Sequence, residues 1–123
     1  MAVQNPVGWF EIYVQDMPRA TAFYQTVLGV ALDKLPMTDL EMWAFPMNME
    51  APGASGALVK MTGVPSGGST LVYFMCDDCA VEGARVADAG GTVHRDKISI
   101  GEYGFIVLAV DTEGNMFGLH SMK

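Results

Sequence analysis

The sequence predicts an α+β domain in which one β-α-β-β-β unit is used twice. Three observations carry that prediction. Residues 9–14 and 71–75 are rich in β-branched and aromatic side chains, as strands are. Each stretch is followed by an aspartate suited to cap a helix, Asp16 or Asp78, then by a helical length that ends at glycine, Gly29 or Gly91. The two strand-helix units recur at an offset of about 61 or 62 residues, which marks an internally duplicated fold.

The first module spans about residues 7–61. In strand 9–14, period-two alternation puts Trp9, Glu11 and Tyr13 on one face and Phe10, Ile12 and Val14 on the other. Pro18 sits in the first helical turn, where its missing N–H costs nothing. Ala20, Phe23, Tyr24, Val27 and Leu28 recur at the spacing of a stripe that lies on a sheet, and Gly29 can end the helix in the left-handed conformation. Residues 30–35 form a short strand stopped by Pro36. Residues 41–47 form the next, with Pro46 favouring an edge or a strand end. A Pro-Gly loop over 48–55 leads to a fourth strand at 56–61.

Residues 62–69 are the joint between modules, too short to separate independent domains, so residues 1–123 are expected to make a single domain. The second module spans about 70–121. It runs strand, helix 79–89, strand 92–98, a loop at 99–104, then strands 105–110 and 116–121 around a turn at 111–115, where Gly114 can supply a positive φ.

Composition excludes several classes. Fourteen acidic against seven basic residues give a net charge of −7, which argues against nucleic acid or an anionic membrane as partner. The start of the chain lacks the basic and apolar regions of a leader, and the most apolar run, 105–110, is far too short to span a bilayer. A cytoplasmic protein is expected. Two cysteines three apart provide no disulfide framework. Ten methionines and a mean hydropathy of +0.25 point to apolar surface that a homodimer would cover.

Asp16, Arg19, Ala20, Phe23, Tyr24, Leu28 and Gly29 form a motif after the first strand that resembles the vicinal oxygen chelate superfamily. Residues 111–120, Asp-Thr-Glu-Gly-Asn-Met-Phe-Gly-Leu-His, resemble its closing hairpin, and residues 100–106 resemble a glyoxalase-related bacterial subgroup. The resemblance implies a U-shaped eight-stranded mixed sheet with helices on the convex face and a ligand in the concave one. It spans glyoxalases, ring-cleaving dioxygenases, epimerases and bleomycin resistance proteins, so it narrows the fold far more than the function. Metal-binding members of the superfamily draw His, Gln or Glu from the first, fourth, fifth and eighth strands. The matching positions here are Trp9, about Ala57 (Val59 or Lys60 if the register slips), Leu71 and Gly118, none of which is a ligand type for a divalent ion. No metal and no other cofactor are expected.

Parity also turns Gly118 and His120 to the ligand side, together with Leu71, Tyr73 and Met75. Glu11 in an apolar, aromatic hollow is a candidate general base, with His120 its acid or orienter. The competing reading makes Glu11 a structural acceptor and His120 a solvated residue. Trp9, Tyr13, Trp43, Tyr73 and Tyr103 are candidate ligand-binding aromatics. Glu102 and Tyr103, between Gly101 and Gly104, form a candidate lid.

Cys76 and Cys79 read as core thiols rather than a redox pair, since flanking acids raise thiol pKa values. Met37, Met42, Met47, Met49 and Met61 read as adaptable core that could rim a pocket. Two functions follow: a metal-independent lyase or isomerase related to glyoxalases, or a non-catalytic module that sequesters an antibiotic-like small molecule.

Overall fold

Strand β1 (Val7–Tyr13) runs into helix α1 (Met17–Leu28), followed by β2 (Asp33–Lys34), β3 (Glu41–Ala44) and β4 (Ser55–Lys60). The pattern then repeats as β5 (Thr70–Met75), α2 (Cys79–Arg85), β6 (Thr92–Ser99), β7 (Phe105–Val110) and β8 (Met116–Ser121). The computed structural model describes residues 5–68 and 70–123; the first four residues, part of the start read as lacking a leader, and Ser69 of the joint lie outside the described residues. Eight strands of mixed sheet with two helices make this an α+β fold, as the duplicated pattern predicts. No helix among the described residues is long and apolar enough to cross a membrane. Two compact units are present, one of residues 9–70 and one of residues 5–8 with 71–123.

In the first unit the strand order is β2-β3-β4-β1. β1 and β4 are parallel, with Trp9 opposite Ser55 and Tyr13 opposite Val59, whereas β3 pairs antiparallel with β4. Helix α1 has the expected ends. Asp16 accepts from the Arg19 N–H at 3.0 Å, and Gly29, at φ +67°, donates to the Gln25 carbonyl at 2.9 Å. Its buried stripe is narrower than expected. Met17, Ala20 and Tyr24 face the core of Val14, Leu32 and Leu58, while Phe23, Val27 and Leu28 are 57%, 61% and 56% exposed. Met17, fully buried next to the N-cap, sets the helix phase; Phe23 and Val27 turn away from its line and Leu28 falls in the exposed last turn.

β2 is shorter than residues 30–35 because the Leu32 N–H donates to Gln25 Oε1 at 2.9 Å, which ties that segment to the helix instead of the sheet. β3 stops at Ala44, ahead of Pro46, and Ser55 Oγ donates to the carbonyls of Phe45 and Pro46 at 3.1 and 3.0 Å. The start of the joint is pinned to the end of β1, with Gln15 Nε2 donating to the Val64 carbonyl and Ser66 Oγ to the Tyr13 carbonyl, both at 2.9 Å.

In the second unit the order is β5-β8-β7-β6, and residues 5–8 join it: the Met75 N–H donates to the Pro6 carbonyl at 2.7 Å. Cys79, Val107 and Leu119 form the core beneath α2, with Phe74 and Phe117 edge-to-face against each other. Helix α2 ends at Arg85 rather than Ala89. Gly83 leaves room for close approach to Val107, and the chain leaves the helix there, with Val86 N–H bonded to the Gly83 carbonyl and Gly91 N–H to the Val86 carbonyl. Asp78 caps α2 through the Ala80 N–H and pairs with Lys97 at 2.9 Å; buried Ser121 accepts from the Cys79 N–H, also at 2.9 Å. The hairpin of β7 and β8 has the predicted limits, its turn held by Asp111 Oδ1 accepting from the N–H groups of Glu113 and Asn115.

Candidate functional site

The site in the first unit is built on the side of the sheet opposite α1. Trp9, Glu11 and Tyr13 alternate on β1 and meet at the middle residue: Tyr13 Oη donates to Glu11 Oε1 at 2.7 Å, and Trp9 Nε1 donates to Oε2 at 3.2 Å. Glu11 is only 7% exposed. A carboxyl group taken out of water needs such donors, and both bonds fix its orientation. Around it the face is apolar. Met42, Ala57 and Val59 form the core there, Leu35, Met37 and Leu40 pack against it, and Ala57, opposite Glu11 in the parallel pairing, leaves space for the carboxylate. Trp9 and Tyr13 are half-buried. Of the methionines proposed to rim a pocket, Met37 and Met42 belong to this face, while Met47, Met49 and Met61 are exposed.

Trp43 does not join them. Met42, opposite Val59, packs on the Glu11 face, so its neighbour Trp43, opposite Leu58, turns to the helix side and packs with Val14, Met17 and Leu58. Its indole N–H donates to Glu41 Oε2 at 2.9 Å. The expectation of Trp43 as a ligand wall is corrected by strand parity.

In the second unit Tyr73 is buried on β5 directly opposite Gly118 of β8, and its ring lies where a β-carbon at position 118 would be. His120 is half-buried, and its Nε2 lies 2.6 Å from the Tyr103 carbonyl, which makes that nitrogen the N–H donor. The loop expected as a lid is a hydrogen-bonded turn in this structure. Residues Gly101–Tyr103 form a single 3-10 turn, Ile100 N–H donates to the Gly104 carbonyl at 2.8 Å, and Gly101 N–H donates to Ser99 Oγ. At Gly104, φ +102°, a β-carbon would run into the Ser121 carbonyl oxygen, so glycine is required there. The Tyr103 side chain is 41% exposed and Glu102 is exposed.

The four positions from which superfamily members take metal ligands carry Trp9, Ala57, Leu71 and Gly118. An indole, a methyl group, an isobutyl group and no side chain at all supply no lone pair for a divalent cation, and the Tyr73 ring fills the space at 118. Among the described residues no three His, Cys, Asp or Glu side chains are grouped to hold a metal. The donor set does not fit the metal chemistry of the superfamily.

Cys79 is fully buried and Cys76 half-buried in the core beneath α2. Burial pushes the Cys76 thiol up to about 11, and the Glu82 carboxylate adds to the rise. The acid that acts on the thiol is thus Glu82, not the adjacent aspartates. Glu82 was legible as part of this face, three residues after Cys79 and four before Val86, the spacing of one helical side.

Comparison with known proteins bears on the fold most strongly. Residues 7–45 match the bleomycin resistance protein-like N-terminal family. No curated protein matches the chain. Among solved structures, a variant of Streptomyces coelicolor methylmalonyl-CoA epimerase in complex with 2-nitronate-propionyl-CoA is 16% identical, with a TM-score of 0.72 over 94% of this chain and 96% of that one. Methylmalonyl-CoA epimerase from Mycobacterium tuberculosis is 13% identical, with a TM-score of 0.73 over 100% of this chain and 93% of the other. A hypothetical protein from Bacillus halodurans is 12% identical, with a TM-score of 0.73 over 98% and 96%. At these identities the likeness is one of fold. Residues 7–45 are thus similar to the bleomycin resistance protein-like N-terminal family, and the chain as a whole shares the fold of the methylmalonyl-CoA epimerases.

Proposed function

We propose that this protein binds a small organic cation on the Glu11 face of its first module, as a sequestering module rather than a metal enzyme. The observation that carries the reading is the Glu11 carboxylate held between the Tyr13 hydroxyl and the Trp9 indole, two half-buried aromatic residues. A carboxylate flanked by two aromatic side chains suits a cation, by charge and by cation–π contact. Net charge points the same way. A chain at −7 attracts a cation and repels a polyanion such as a CoA ester.

A second reading makes Glu11 a general base. It is favoured by the orientation of a buried carboxylate on a fold shared with epimerases. In that reading His120 would act as proton donor, with its Nε2 released from the Tyr103 carbonyl. Glu102, Tyr103 and Tyr73 are proposed ligand contacts of the second module. A homodimer is proposed as well, through the exposed apolar face of α1.

Titration calorimetry with metal-free bleomycin, a cationic aromatic glycopeptide, and with methylmalonyl-CoA tests the choice. Bleomycin should bind the protein, methylmalonyl-CoA should not, and Glu11→Gln should weaken bleomycin at least about tenfold, the worth of a charge-assisted contact. Binding or epimerisation of the CoA ester that is lost in Glu11→Gln would replace this reading with the second.

A further inference from the structure

The second unit carries a cleft of about 340 Å³ between α2 and strands β7 and β8, on the helix side of the sheet. That volume accepts a small organic molecule. Val86, Ala89, Val110, Phe117 and Leu119 make its wall apolar. Glu82 of α2 lines it too, and Glu82 Oε1 is buried with no hydrogen-bond partner among the described residues. An oxygen of a carboxylate placed out of water without a donor is unfavourable, so the site calls for a donor from outside the chain.

The other polar groups facing the cleft do not supply one. Asp111 is itself an acceptor and is engaged by its own turn, from the N–H groups of Glu113 and Asn115 at 2.8 and 2.9 Å and from Asn115 Nδ2 at 3.2 Å. Arg85 is exposed and forms no ion pair among the described residues. The Cys76 thiol hydrogen-bonds the Glu82 carboxylate, but a thiol is a weak donor and leaves Oε1 unsatisfied among the described residues. We infer that this cleft is a second small-molecule site, one that takes an organic ammonium with an apolar body: the ammonium donates to Glu82 and the body packs on Phe117 and Leu119. The inference is independent of the Glu11 reading, since every residue it uses lies between positions 76 and 119.

The test is a ¹H–¹⁵N NMR titration with benzylammonium, with phenylacetate as the probe of opposite charge. Benzylammonium should shift the amides of Glu82, Ala89, Gly91 and Thr112 saturably, phenylacetate should not, and Glu82→Gln should weaken benzylammonium at least about tenfold. Glu11→Gln should leave this affinity unchanged, which separates the result from that of the first module. Three outcomes overturn the inference: no saturable shift, equal affinity in Glu82→Gln, or shifts confined to residues around Trp9 and Tyr13. Should Glu82→Gln fail to fold, Phe117→Leu reads the apolar wall instead; unaltered affinity there also overturns it.

Discussion

The Tyr13 hydroxyl donates to Glu11 Oε1 at 2.7 Å, from two residues further along the same strand. Glu11 is 7% exposed, so deleting the donor removes a hydrogen bond from a buried acceptor. Tyr13→Phe should lower unfolding free energy by about 1–3 kcal/mol at neutral pH, the usual worth of a hydrogen bond to a charged group. Chemical denaturation of the two proteins measures it. A change near zero would mean that Glu11 has ample alternative donors and that its orientation does not depend on Tyr13.

The second prediction concerns Gly118. A β-carbon at that position would land on the Tyr73 ring, so Gly118→Ala should destabilise the second module by about 1–3 kcal/mol through overpacking. In a Tyr73→Ala background most of that cost should vanish, and a double-mutant cycle gives the coupling directly. Additive effects would show that the ring moves aside freely, in which case a metal-ligating side chain could be installed at 118 after all.

Cys76 offers a pH test. Its thiol is raised from 9.0 to about 11, so between those values the folded chain holds a proton that the unfolded chain has lost. Stability from this group is unaffected below about pH 9 and falls as pH rises through 9 towards 11. Alkylation of native protein by iodoacetamide should accordingly be slow at pH 8 and accelerate only near pH 11. Glu82→Gln should bring the midpoint down, because the carboxylate is the next cause after burial. Rapid alkylation of Cys76 at neutral pH would contradict the burial described for it.

On the acid side, Asp111 is held below the usual carboxylate value by the N–H groups of Asn115 and Glu113. A depressed folded value contributes stability above the unfolded value of 3.8, and that contribution disappears as pH falls through the folded one. Asp111→Ala should thus melt lower than the parent protein at pH 6, with the gap closing steadily below about pH 4. A gap independent of pH would assign the effect to the turn's conformation and not to its charge.

Assembly can be tested on α1. That helix carries a single charged residue, Arg19, and exposes Phe23, Val27 and Leu28 in a chain of net charge −7, so its face is where two copies could meet with little charge repulsion. Light scattering should give a dimer mass, and Phe23→Asp with Val27→Asp should give a monomer that remains folded. A monomer mass for the parent protein at all concentrations would end this proposal.

Much of the fold was legible because its signals are local. Asp16, Pro18 and Gly29 delimit α1 by capping chemistry, and the residues of β7, its turn and β8 delimit the hairpin. Parity on β1 was equally readable: Trp9, Glu11 and Tyr13 do share a face and converge. What failed depended on packing at a distance. The phase of α1 is set by Met17 against the sheet, so a stripe counted from Ala20 includes exposed Phe23 and Val27. Trp43 was placed by residue type, whereas its face follows from the register of β3 on β4, which no local pattern records. Glu82 had the right helical spacing, but only the cleft shows that its Oε1 lacks a donor among the described residues.

Residues 5–8 belong with the second unit although they are the first described stretch of the chain, and the Pro6 carbonyl is the acceptor for Met75. During synthesis, then, this short segment must wait until its partner strand emerges some seventy residues later, while residues 9–70 can already assemble. A gene cut at the joint would give two unequal products. The upstream half would retain a loose end, and the downstream half would be born with an open place beside Met75, where an added peptide carrying Asn5 to Gly8 could dock and restore it.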